Sequence, residues 1–343
     1  MGKDILYLSQ EDVIACGGMS MEKAIEDLEE VFHLFDEGDC ILPGKIVMKR
    51  PEPDSEETTG RINAMPAYVG GKFNMAGIKW IGSGPSNPFK YGLPRASAII
   101  ILNDPETKLP LAVMDGAVIS AIRTGAVTGI CAKYMAPKKS KVVGLFGAGA
   151  QSRTQLMAIK EALPQVETAY INDVSKERAD KFAEEMTQRT GVKVVTNLDR
   201  LDVIKNSDVL VTATTATEPI IHGSEIDHGC YLAHLGDNEV DEDLIMKADK
   251  IFIDDWETDK HRMGDTLAYM YRDGKIDDSR INGSVSDLIS DKKKGRDNED
   301  QLTYTCNVGL GLYDVAIATR VYRYALEHGI GKTLTLWEKP AMV

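Results

Sequence analysis

Residues 141–153 read KVVGLFGAGAQSR: mostly apolar residues from Val142 to Phe146 run straight into Gly147-Ala148-Gly149-Ala150-Gln151-Ser152. TQLMAIKEAL follows with apolar residues at helical spacing, so the order is strand, tight glycine turn, helix start. Gly147 permits the turn, and Gly149 lets the backbone approach a pyrophosphate resting on the free N–H groups of the helix start, where Ala150 and Gln151 also lie. Ser152 stands where this fingerprint carries a third Gly or an Ala. A second short apolar strand, ETAYINDVS from Glu167, ends in Asp173. An acid roughly 20 residues beyond the turn accepts ribose hydroxyls and repels a 2′-phosphate, which points to NAD rather than NADP.

Downstream of this unit the chain alternates. VKVVTN, DVLVTATTA, YLAHLGDN and KIFIDD read as strands, with ERADKFAEEM and DEDLIMKA as helices, the rhythm of a doubly wound parallel sheet. In such sheets the cofactor lies over the carboxyl ends of the strands, which places Thr212, Ala213 and Thr214 beside it, and Leu235 and Gly236 after the next strand. Asp237 follows at the same edge. It is either a carboxylate at the reacting centre or, with Asn238 and Asp241, a cap for the next helix. Residues 273–301 are polar and read as loop-rich surface. From Leu312 to Leu326 a helical apolar pattern returns, with Gly329 as its stop.

Upstream, DILYL at residues 4–8 reads as a strand. Ser20 is placed to cap a helix carrying Ala24, Leu28, Val31, Phe32 and Phe35 on one face, closed by Gly38. From Ile41 to Thr107 short strands alternate with turns, as in an antiparallel or mixed sheet, and PEPDSEETTGR from Pro51 reads as a solvated acidic loop. Lys79, in AGIKWIG, occupies a strand that is otherwise apolar; it either snorkels at a strand end or meets an anionic substrate. Arg123 sits mid-helix among Ala121, Ile122, Thr124, Gly125, Ala126 and Val127. A guanidinium in that setting needs an anion, supplied by a structural partner or by a ligand.

The 343 residues allow two domains, and 43% hydrophobic with 27% charged residues is ordinary for a soluble globular chain. Forty basic against 53 acidic residues leave a net charge of −13, which disfavours a nucleic-acid backbone as partner. No apolar run approaches the roughly 18 residues of a membrane span, and the charged MGKDILYLSQED start lacks a signal peptide's apolar region. Five scattered cysteines without a CxxC pair read as reduced thiols in a cytoplasmic protein. His222, His228 and His234, six residues apart, do not match a metal-ligand spacing, and no metal is expected.

Taken together, INAMPAY, GIKWIGS, IILNDPET, ISAIRTGAVT, GLFGAGAQS, YINDVS, LGDNEVDEDL and GRDNEDQ…NVGLGLYDVA resemble, in order and over most of the chain, the ornithine cyclodeaminase/μ-crystallin family. The resemblance implies a Rossmann-type doubly wound NAD-binding domain at 131–312 and a mixed α/β substrate and dimerisation domain from 1–130 with 313–343. Members are typically homodimers joined through the N-terminal sheets. It also implies roles for the ambiguous residues: Lys79 and Arg123 hold the substrate carboxylate, Asp237 and Lys79 are the catalytic residues, and Val308 in NVGLG joins the cofactor contacts. Where the family often has a further arginine this chain offers Lys45 or Lys49, which cannot reproduce a bidentate fork. Asn63, before Met65-Pro66, stands where ornithine cyclodeaminases hold the distal amine with an acid.

The implied activity is NAD-dependent oxidation at a C–N bond of an amino acid or N-substituted amino acid through an imine. IKWIGS and IILNDPET are nearest to the branch acting on N-(2-amino-2-carboxyethyl)glutamate to release 2,3-diaminopropionate. Two alternatives stand beside it: a non-catalytic nucleotide- and ligand-binding protein like μ-crystallin, and an imine or ketimine reductase. A 2-hydroxy-acid dehydrogenase is disfavoured, since His234 is the one histidine near a suitable strand end and it precedes the turn.

Overall fold

A computed structural model describes residues 2–51, 58–196, 198–262 and 264–342; most of the acidic loop expected after Pro51, residues 52–57, lies outside the described residues. The chain divides into two compact units, one formed by Met1–Arg123 with Leu310–Val343 and the other by Thr124–Gly309. The boundary falls inside the helix Ala117–Met135. Among the described residues no helix is long and apolar enough to cross a membrane.

The Thr124–Gly309 unit is built on an eight-stranded sheet in which every pairing is parallel. Its order is Lys193–Val195, Thr168–Asn172, Val142–Phe146, Val209–Thr212, Cys230–His234, Leu302–Cys306, Lys250–Ile253 and Gly283–Ser284. Sequential strands run outward one way from Val142–Phe146 and then restart on its other side, so the order reverses at the glycine-turn strand. That reversal is where open α/β sheets bind ligands, beyond the carboxyl ends of the strands. The fold is thus the expected Rossmann-type doubly wound sheet.

Two features depart from the sequence reading. Residues 273–301 are not all surface loop, since Gly283–Ser284 adds the edge strand and the helix Val285–Ile289 buries Val285 and Leu288. Arg296, in the same polar stretch, donates to the carbonyls of Met135, Cys230, Asn298, Glu299 and Gln301 and ties three segments together. A guanidinium with five donors suits that task. Leu302–Cys306, a fully buried strand that QLTYTC did not advertise through alternation, lies between two earlier ones.

The other unit carries a mixed eight-stranded sheet ordered Lys332–Trp337, Lys3–Leu8, Pro110–Asp115, Ala96–Asn103, Met75–Ser83, Thr58–Val69 and Cys40–Ile41, with Ile46–Pro51 also on Thr58–Val69. All pairings are antiparallel except that of the first strand with Pro110–Asp115. The closing strand Lys332–Trp337, absent from the sequence reading, pairs with Lys3–Leu8. Ser20 accepts the Lys23 N–H at the start of the helix Met21–Asp36, as its position predicts. The helix Gly311–His328 lies on the sheet, and Phe32 meets Tyr313 with ring centroids 5.3 Å apart.

Strand register puts Leu8, Met114, Ile100, Lys79 and Met65 in one row across the sheet. Every member is buried, so Lys79 faces the interior rather than snorkelling to water. The opposite face leaves Ile46, Met48, Trp80 and Ile99 exposed.

Candidate functional site

In the parallel-sheet unit the functional features gather at adjoining carboxyl ends. Gly147 has φ +93°, a conformation that side chains resist, and a Cβ there would stand 2.8 Å from the Ala213 carbonyl oxygen. Gly149 caps the helix Ala150–Ala162 with no side-chain partner, and a Cβ on it would meet nothing. The space beside Gly149, at the start of that 13-residue helix, is open. Ser152 is buried beneath the turn with its hydroxyl donating to the Gly147 carbonyl, so it fills the third-glycine place by bracing the loop.

Asp173 is already engaged. Its Oδ2 accepts the Ala148 N–H at 2.7 Å, and its Oδ1 accepts Ser175 N–H at 2.8 Å and the Arg178 guanidinium at 2.8 Å. Burial works to raise this carboxyl, and the bonds from Ala148, Ser175 and Arg178 outweigh it and hold it below its ordinary range. Oδ2 retains one lone pair for a ribose hydroxyl.

The next strand ends are locked to each other by Glu239, which the sequence reading passed over. Its buried carboxylate accepts Thr214 N–H at 2.6 Å and Thr214 Oγ–H at 2.5 Å on one oxygen, and Gly236 N–H at 2.7 Å on the other. Leu235 N–H donates to Thr212 carbonyl at 3.0 Å. An acid two places after a glycine-aspartate turn was the available signal. Val308 is held in the same manner: Asp254, at the end of Lys250–Ile253, accepts the N–H groups of Val308 and Gly309 at 3.0 and 2.9 Å.

Asp237 does not cap the following helix; that task falls to Asp241, which accepts the Leu244 N–H at 2.9 Å. The Asp237 side chain is 50% exposed and pairs with Arg262 at 3.1 Å. Its backbone carbonyl accepts His234 Nε2–H at 2.5 Å, while His234 Nδ1 takes the Tyr304 hydroxyl at 2.7 Å. A histidine with both nitrogens committed and 1% exposure orients the turn and offers nothing to a substrate. Arg262 pairs with buried Asp265 at 3.7 Å; Asp265 also accepts the Cys306 thiol at 2.7 Å and, as cap of the helix Thr266–Arg272, the N–H groups of Leu267 and Ala268 at 2.7 and 3.3 Å. His234, Asp265 and Cys306 bring three potential metal-ligating atoms within 4.8 Å of one another, but the thiol proton and the guanidinium already satisfy Asp265.

In the mixed-sheet unit the two cations flagged by the sequence share one anion. Lys79 Nζ lies 2.7 Å from Asp314 Oδ2 and donates to Ser120 Oγ at 3.2 Å. Arg123 Nε lies 3.5 Å from Asp314 Oδ1 and has no hydrogen-bond partner. Lys79 and Asp314 are fully buried, Arg123 nearly so at 8% exposure. Burial pulls Lys79 down to about 7, helped by Arg123 and opposed by Asp314, with Lys45 adding a further push downward. Lys45, half-buried one residue before the Ile46–Ala64 pair, is thus in electrostatic reach of Lys79, whereas Lys49 is exposed opposite Arg61. Asn63 and Met65 lie on the same face as Lys79, and Asn63 Oδ1 is buried without a partner. Asp314 was overlooked because GLYDVAIATR reads as a core helix; its signal was one acid in an apolar run in a chain that also held two unpaired cations.

A glycine turn at the switch point of an all-parallel sheet is the geometry of a dinucleotide-binding domain, here that of an NAD-dependent oxidoreductase. The chain belongs to the ornithine cyclodeaminase/mu-crystallin family, whose family model matches residues 6–329. It is 30% identical to N-((2S)-2-amino-2-carboxyethyl)-L-glutamate dehydrogenase of Staphylococcus aureus (strain NCTC 8325 / PS 47), over 98% of this chain and 100% of that protein. Among solved structures it is similar to Thermococcus litoralis Delta(1)-pyrroline-2-carboxylate reductase in complex with NADH and L-proline, with TM-score 0.88, 35% identity, and coverage of 96% of this chain and 99% of that one. It is similar also to an archaeal alanine dehydrogenase dimer with bound NAD, with TM-score 0.87, 33% identity, and coverage of 98% and 100%.

Gly147→Ala forces a side chain against the Ala213 carbonyl at a left-handed backbone. Its NADH dissociation constant, read by fluorescence titration, is expected to rise by at least roughly tenfold while the far-UV circular dichroism spectrum stays native. Unchanged NADH affinity would show that the turn does not hold the cofactor.

Proposed function

We propose that this chain catalyses NAD-dependent oxidation at the C–N bond of an amino acid or N-substituted amino acid, giving an imine that water then opens. The carrying observation is the charge balance around Asp314: Lys79 and Arg123 both pair with this one carboxylate, and Arg123 Nε makes no hydrogen bond. Such a pocket is completed by an anion, and a substrate α-carboxylate is the anion that every amino acid carries. NAD, when bound over Gly147–Gln151, supplies the hydride acceptor. Arg123 and Lys79 hold the carboxylate and fix the direction of the Cα–H bond, since orientation is most of what a hydride enzyme contributes. Lys45 and Met65 line the same interior face. Asp237, paired with Arg262 and half-exposed, takes the proton from the substrate nitrogen or from the attacking water.

Asn63 bears no charge to pair with a distal ammonium, so a diamine such as ornithine is disfavoured. Similarity to the staphylococcal enzyme and an uncharged Asn63 favour an N-carboxyalkyl amino acid as the substrate. We further propose a homodimer formed through the exposed face bearing Ile46, Met48, Trp80 and Ile99, an apolar patch that water alone covers poorly.

Incubating the pure protein with NAD⁺ and pooled amino acids, N-carboxyalkyl amino acids and ornithine, with products identified by mass, is expected to give NADH with an oxo acid and a released amine. Proline as the product would mean a cyclodeaminase instead, and no NADH with any substrate would leave a ligand-binding protein. Asp237→Asn is expected to lower kcat by at least ~10³-fold with NADH affinity within about twofold, and Arg123→Lys to raise KM severely. Near-normal turnover by Asp237→Asn removes that residue from the chemistry. Light scattering is expected to give twice the chain mass, falling to a single chain in Trp80→Glu; a monomeric parent protein would refute the dimer.

A further inference from the structure

We infer that Asp314 is the positioning residue of the carboxylate-binding cluster: a buried carboxylate that aims both Lys79 and Arg123. The inference rests on the proposed role of those two cations in holding the substrate. It adds the group that makes the role physically possible.

Geometry carries it. Lys79 and Asp314 are both 0% exposed, and their ion pair at 2.7 Å is the shortest contact Lys79 makes. Asp314 lies in the first turn of Gly311–His328, where a negative charge is favoured by the helix field. The helix sits hard on the sheet: a Cβ on Gly311 would stand 2.7 Å from the Met65 carbonyl, and one on Gly77 would stand 3.1 Å from Val315. The carboxylate therefore has little freedom to swing away.

Lys79 faces charge from each element around it. Asp314 comes from Gly311–His328, Arg123 and the Ser120 hydroxyl from Ala117–Met135, and Lys45 from the segment before Ile46–Pro51. Its register neighbours Met65 and Ile100 carry none. Burial and two cations push the ammonium toward losing its proton, and among the described residues Asp314 is the anion opposing them. With the lysine poised at about 7, removal of that anion leaves it neutral under assay conditions, and a neutral amine is a poor carboxylate ligand.

The test is the pH dependence of KM for the substrate identified above, from pH 5.5 to 9, in parent protein, Asp314→Asn, Asp314→Glu and Lys79→Met. Asp314→Asn is expected to move the inflection in KM acidward by about one unit or more. KM at pH 7.5 is expected to rise roughly tenfold and to recover on acidification, with kcat and NADH affinity within about threefold. Asp314→Glu keeps the charge, and is expected to keep the parent inflection within about half a unit while raising KM at all pH values. Should the amide variant not fold, the glutamate variant carries the test: an inflection displaced by a unit or more would overturn the inference. So would an Asp314→Asn profile parallel to that of the parent, which is the signature of a merely structural acid. Lys79→Met separates the two levels: an elevated, pH-independent KM upholds the carboxylate reading even where Asp314→Asn fails, and an unchanged KM overturns the carboxylate reading and the inference together.

Discussion

Charge cannot be left alone in a protein interior, and that constraint organises the mixed-sheet unit. A lysine in the middle of an apolar row between Met65 and Ile100 is tolerable only because a carboxylate comes down onto it from the helix above. The same carboxylate draws in Arg123 from a second helix, so three separate elements converge on one anion. Fully paired, such a cluster would be structural. Here two cations meet one carboxylate.

In the parallel-sheet unit the corresponding constraint is the open end of each strand. A parallel strand leaves its last carbonyl and the following amides without partners, and buried acids meet that need. Glu239 spans Thr214 and Gly236, Asp254 gathers Val308 and Gly309, and Asp173 reaches back to Ala148. Each acid thus ties a strand-end loop to a neighbouring segment.

Much of this was legible in the sequence wherever the signal is local. The strand, glycine turn and helix of 142–162 are written in adjacent residues, and so is the Ser20 cap. Lys79 and Arg123 stood out because each is a charge amid apolar neighbours. What the residues alone left open was their partner: Asp314 is more than 180 residues away in sequence and looks like one polar position in a core helix. Leu302–Cys306 and Lys332–Trp337 went unread for a related reason. The first is buried on both faces and so does not alternate, and the second exists as a strand only because Lys3–Leu8 is there to pair with it. Arg296 was hidden by its polar surroundings, which gave no hint that its guanidinium would be consumed by five carbonyls.

The pairing of Lys3–Leu8 with Lys332–Trp337 has a bearing on biosynthesis. The ribosome delivers the first strands of the mixed sheet early, but its edge strand and the helix carrying Asp314 emerge only after residue 310. Until then Lys79 lacks Asp314 as its counter-ion. The intervening residues 124–309 contain their own complete sheet and can be finished while the nascent amino-terminal segment is still waiting.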